Sequence, residues 1–129
     1  MSIPHPTDES APEQLVKLHI WDTGGHEKFR SMINLYYREA VGAIICYDLT
    51  DERSFESVKF WIGEMQKNTT YDQGGFVMAL AGNKCDTPKD QQRVPTAVSK
   101  EVAKANRMIW SEVSAKTGEG LSEMFRTVA

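Results

Sequence analysis

Two runs of unbroken apolar residues, Val41–Tyr47 ("VGAIICY") and Phe76–Ala81 ("FVMALA"), constrain this chain more than any other feature. A strand with one face in water alternates polar and apolar residues. One that is apolar throughout is covered on both faces, as in parallel sheets packed between helices. Between the two runs, Phe55, Val58, Ile62 and Met65 fall at i, i+3, i+7 and i+10, one stripe of a helix ending near Asn68. Upstream, Leu15–Trp21 ("LVKLHIW") alternates loosely and reads as a first strand. Phe29, Met32, Ile33 and Tyr36 give Glu27–Ala40 the spacing of an irregular helix. Downstream, the polar loop "DTPKDQQR" leads to a helix with Pro95 near its first turn and Val98 and Val102 on one face. Met108–Val113 reads as a last short strand and Leu121–Ala129 as a last helix. Strands separated by helices imply right-handed βαβ units and a parallel sheet. The 129 residues suffice for one such core and not for two.

Composition narrows the function classes. A net charge of −3 with no basic stripe argues against nucleic acid as a partner. Both apolar runs are far short of a membrane span. Cys46 and Cys85 lie in different segments without metal-ligand spacing, as expected of reduced thiols in a cytoplasmic protein. Residues 1–14, "MSIPHPTDESAPEQ", combine three prolines with acidic residues and no apolar block, which predicts a disordered leader before a domain over 15–129. The last residues, "FRTVA", include no cysteine for prenylation.

In open parallel sheets, ligands bind beyond the carboxyl ends of the strands. Three polar clusters fall there: Asp22, Asn83–Asp86 and Ser114–Lys116. In "NKCD", the Asp86 carboxylate only accepts hydrogen bonds, so it selects a partner with adjacent donors. Guanine offers N1–H and N2–H₂ side by side, whereas adenine has an acceptor at N1. Lys84 and Lys116 can lay their methylene stems on a base while their ammonium heads stay wet. The backbone N–H that follows Ser114 can reach the guanine carbonyl. In "IWDTGGHEKF", Asp22 suits Mg²⁺ through a water, since that ion keeps most of its hydration shell. Gly25 can offer its N–H to a terminal phosphate, and His26 stands where a water-orienting side chain is useful.

These residues carry a resemblance. From Lys17 to Ala129 the chain resembles the latter two-thirds of a Ras-superfamily small GTPase, most of all the Rab branch. "WDTGGHEKF" is similar to that branch's WDTAGQERF, and "YYREA" to its YYRGA. "CYDLTDERSF" resembles its loop after the next strand, and "GNKCD" and "SAKTG" its guanine-recognition motifs. The resemblance implies an α/β, P-loop-NTPase-like three-layer sandwich, with GTP or GDP and Mg²⁺ as cofactors. It assigns Asp22 and Gly25 to the Mg²⁺ and γ-phosphate site, and Asn83, Lys84, Asp86, Ser114, Ala115 and Lys116 to the base. It implies a role in vesicle trafficking at endomembranes and places Trp21 and Tyr36 on a surface presented to effectors.

The departures shape the expectation as much. Such proteins open with a strand, a G-x-x-x-x-G-K-[ST] loop, a helix and a switch segment. The only Lys followed by Ser or Thr here is Lys116, and Ala115 and Trp110 stand where that loop needs glycine. Phosphoryl transfer relies on positioning and charge stabilisation, so a chain without the cradle is expected to hydrolyse GTP poorly or not at all. His26 also replaces the family's glutamine. The absent first strand would sit between the strand ending at Trp21 and Val41–Tyr47. If that gap closes, four parallel strands follow in chain order; if not, open edges and an uncovered face invite self-association. A reading of a different class is a nucleotide-independent module that engages effectors or chaperones through Trp21, Phe29, Tyr36 and Tyr37.

Overall fold

The computed structural model describes residues 2–3, 14–23, 39–69 and 74–129. The elements in chain order are β1 (Ser2–Ile3), β2 (Gln14–Leu15), β3 (Gly42–Asp48), α1 (Glu52–Asn68), β4 (Val77–Asn83), a short 3₁₀ turn (Lys89–Gln91), α2 (Thr96–Ala105), β5 (Ile109–Glu112) and α3 (Leu121–Val128). The architecture is α/β. Strands β3, β4 and β5 form a parallel sheet in that spatial order, with Gly42 opposite Val77, Asp48 opposite Asn83, and Gly82 opposite Glu112. All three strands therefore end at one edge of the sheet.

Alternation along the strands sorts their side chains onto two covered faces, as the apolar runs require. Ile45, Tyr47, Met78 and Leu80 meet Val58, Ile62 and Met65 of α1 and Ala103 of α2 in the main core. On the opposite face, Ala81 and Val113 lie under Met124 of α3, with Ile44, Leu121 and Phe125 at the margin. The small side chain of Ala81 suits close approach of that helix. Asp51 caps α1 by accepting from the Arg53 N–H at 2.9 Å, and Glu52 and Lys67 complement the helix dipole at its two ends.

Two expectations need correcting. Leu15–Trp21 is not a parallel strand of this sheet: Gln14–Leu15 pairs antiparallel with Ser2–Ile3, and residues 16–23 have no regular structure. The four-strand order is accordingly replaced by three described strands, with β3 at an edge. Alternation specifies which face a strand would bury, not which neighbour will accept its hydrogen bonds. Leu15, Ile20 and Trp21 are 75 %, 68 % and 72 % exposed. The second correction is in α2, whose inward residues are Ser99, Val102 and Ala103, while Val98 is exposed. The helix is turned so that Ser99 Oγ accepts from Trp110 Nε1 at 3.0 Å, a polar pairing that apolar spacing cannot reveal.

The helix expected over Glu27–Ala40 falls almost wholly outside the described residues. So does most of the expected leader, of which residues 2, 3 and 14 belong to the small β1–β2 ladder.

Candidate functional site

The carboxyl ends of β4 and β5 carry a polar cluster tied together by side-chain hydrogen bonds. Pairing between them continues past the strands, with the Val113 N–H donating to the Gly82 carbonyl at 2.8 Å and the Cys85 N–H to the Val113 carbonyl at 2.9 Å. This brings the two polar loops side by side. Asn83 then ties them together: its Oδ1 accepts from the Ala115 N–H at 3.0 Å and from the Lys84 N–H at 2.8 Å. Ser114 makes the second tie. Its hydroxyl donates to Asp86 Oδ1 at 2.8 Å and accepts from the Thr117 N–H at 3.1 Å.

Ser114 is fully buried, whereas Asp86, Ala115 and Lys116 are exposed. One oxygen of Asp86 is thus fixed from below while the carboxylate remains within reach of solvent. A carboxylate held in this way can accept from two adjacent donors without first losing rotamer freedom. Glycine closes the second loop. Gly120 has φ +76°, and a Cβ there would lie 2.8 Å from the Glu112 carbonyl oxygen, so no other residue fits without strain.

Lys84 itself adopts φ +69°, unusual for a residue with a side chain. Its ammonium lies 2.6 Å from Asp48 Oδ2, at the end of the neighbouring strand. Asp48 Oδ1 in turn accepts from the Thr50 N–H at 2.8 Å and the Thr50 hydroxyl at 2.6 Å. Desolvation works against the charged form of Asp48, but hydrogen bonds from Lys84 and Thr50, with the lysine charge, outweigh it and hold the carboxyl below its ordinary range. Sequence reasoning missed Asp48 and Thr50 at this edge. The signal was present in the register: parallel strands that start level place Asp48 opposite Asn83.

The structure therefore joins Asn83, Lys84, Asp86, Ser114 and Ala115 through hydrogen bonds within the two loops, with Lys116 in the same turn. Asp22 is exposed on the β3 side, where its charge adds to partial desolvation in pushing the Cys46 thiol up. Gly25, His26, Phe29, Tyr36 and Tyr37 lie outside the described residues.

The family model of the Ras family matches residues 5–129. This chain belongs to the Ras family. It is 44 % identical over 114 residues to the GTP-binding protein YPT1 of Saccharomyces cerevisiae, covering 88 % of this chain and 53 % of that protein. With the GTP-binding protein ypt5 of Schizosaccharomyces pombe it shares 40 % identity over 124 residues, 96 % of this chain and 56 % of the relative. The Ras-related protein Rab-5B of Plasmodium falciparum is 41 % identical over 114 residues, 88 % and 52 % of the two chains. These Ypt and Rab relatives place it in the Rab branch. The chain spans about half the length of the curated relatives it matches.

A Ras-family chain implies a guanine nucleotide with Mg²⁺. The donor set fits the base, since it offers an exposed, pre-set acceptor in Asp86 and a lysine beside it. No group of three or more His, Cys, Asp or Glu able to hold a metal occurs among the described residues. Mg²⁺ needs only one or two carboxylates when phosphate and water complete its shell. Asp22 is compatible with that modest role. No described helix is long and apolar enough to cross a membrane.

Proposed function

We propose that this Rab-branch chain recognises guanine nucleotides at the loops joined by Asn83 and Ser114, in service of vesicle trafficking. The observation that carries the reading is the Ser114–Asp86 bond of 2.8 Å, which presents a carboxylate to solvent with one oxygen already fixed. In the proposed complex Asp86 accepts from guanine N1–H and N2–H₂. The stems of Lys84 and Lys116 flank the ring, and the Ala115 N–H, which donates to Asn83 Oδ1 in the free chain, turns from it to the guanine carbonyl on binding. Asp22 holds Mg²⁺ through water, Gly25 offers its N–H to the terminal phosphate, and His26 occupies the water-orienting position. A neutral imidazole carries its donor and its acceptor on separate ring nitrogens, unlike the adjacent pair on the amide of the family's glutamine.

The 129 residues contain no G-x-x-x-x-G-K-[ST] sequence. The chain by itself is therefore proposed to bind the base weakly, with a Kd of about 1 mM, near −4 kcal/mol, and to turn GTP over poorly or not at all. Chemical-shift titration with GDP and with ADP tests this. GDP is expected to move the resonances of Ala115 and Thr117 while ADP leaves them in place. Asp86→Asn sharpens the test, because an amide presents one donor and one acceptor. That variant is expected to lose guanine and gain xanthine, whose 2-carbonyl accepts where guanine donates. Equal binding of GDP and ADP, or an unchanged preference in Asp86→Asn, would refute the assignment. Trp21, 72 % exposed, supports the second reading of an effector- or chaperone-binding surface. Capture of a Rab effector without any response to GDP would favour it. Self-association through the β3 edge is a further part of the proposal, tested by sedimentation across a concentration series.

A further inference from the structure

Asp48 is an acidic side chain at the sheet edge that the nucleotide reading leaves without a task, yet three hydrogen bonds and contacts hold its carboxylate. It ends β3 in register with Asn83, and its backbone N–H donates to Ser54 Oγ at 2.8 Å. The same serine bonds back to the Asp51 carbonyl at 2.7 Å, which anchors this corner to the first turn of α1. The two Thr50 bonds to Oδ1 fix the carboxylate's rotamer, leaving Oδ2 for the Lys84 ammonium at 2.6 Å. Lys84 is constrained at its other end too, by its left-handed backbone and by the bond from its N–H to Asn83 Oδ1. A lysine side chain normally samples many rotamers, and holding one at a binding site costs affinity. Here both ends of the side chain are tied before any ligand arrives.

We infer that Asp48, oriented by Thr50, is a positioning residue for guanine binding: it pins the Lys84 ammonium so that the lysine stem stands as a preformed wall of the base site. The inference rests on the base-recognition reading above. It adds a third strand end to a site otherwise built on two, and it gives the "YDLT" segment a role in ligand binding rather than in turn formation alone.

The test is GDP titration of the full chain and of Asp48→Asn, Lys84→Met and the double variant, followed by NMR, with thermal melts as a folding control. Asp48→Asn is expected to weaken GDP binding about three- to fivefold, the range of a well-formed exposed ion pair. The loss should vanish in the Lys84→Met background, since the aspartate then has nothing to pin. A purely structural role would weaken binding equally in both backgrounds, and that result overturns the inference. So does an unchanged affinity in Asp48→Asn while the parent chain binds GDP. Should the parent chain itself fail to bind GDP, the base-recognition reading falls and takes this inference with it. If Asp48→Asn does not fold, Thr50→Val carries the same cycle, since it removes the hydroxyl bond that orients the carboxylate without removing its charge.

Discussion

The two ends of the described fold behave differently. At the carboxyl ends of β4 and β5, polar residues are tied by side-chain bonds spanning 28 and 32 positions in sequence. Along residues 14–23, Leu15, Ile20 and Trp21 lie exposed, and among the described residues a two-residue ladder is the only regular pairing. Both segments look equally persuasive as sequence: "LVKLHIW" before "DTGG" and "FVMALAG" before "NKCD". What separates them is the neighbour. Val77–Asn83 is flanked by a strand on each side and by helices on both faces, whereas no described strand lies beside Val16–Trp21. A strand is a cooperative object, and its hydrogen bonds belong half to its partners.

That contrast can be broken or sharpened by substitution. The largest effect is expected in the shared core: Leu80→Ala, at a fully buried position, should cost about 2–5 kcal/mol in urea unfolding. Ser114→Ala comes next. It removes the donor to Asp86 and leaves the Thr117 N–H without its acceptor, for about 1–3 kcal/mol and loss of the GDP response.

Tyr47→Phe should act in the opposite direction. Among the described residues the buried Tyr47 hydroxyl has no hydrogen-bond partner of good geometry, although Ser99 and Trp110, bonded to each other, lie nearby. Removing it should stabilise by up to about 1 kcal/mol, read as a higher Tm. Ile20→Ala, at 68 % exposure, should change stability by no more than about 0.5 kcal/mol. A loss at Ile20 comparable to that at Leu80 would show that residues 14–23 are packed in solution and would erase the contrast.

How much of this was legible in the sequence follows the same division. The buried strands and the stripe Val58, Ile62, Met65 were readable because hydrophobic period reports burial directly. The pairing of Asp86 with Ser114 was approachable because both motifs sit just past apolar strands. Asp48 was not singled out, since nothing in "YDLT" marks a site until the register of β3 against β4 is known. The inward turn of Ser99 was hidden for a related reason. A buried serine breaks the apolar stripe, and only its bond with Trp110 explains it. The misplaced strand at Leu15–Trp21 failed on the remaining point, that alternation is necessary for pairing and insufficient for it.

Ser114 has one further consequence. Because its hydroxyl both gives and receives, and its backbone N–H donates to the Glu119 carbonyl while its own carbonyl takes the Gly118 N–H, the turn cannot loosen one bond at a time. Amide hydrogens at Thr117 and Gly118 should therefore exchange with deuterium at a common rate, through one opening event. The two amides would then report the breathing of one peptide latch rather than of separate bonds.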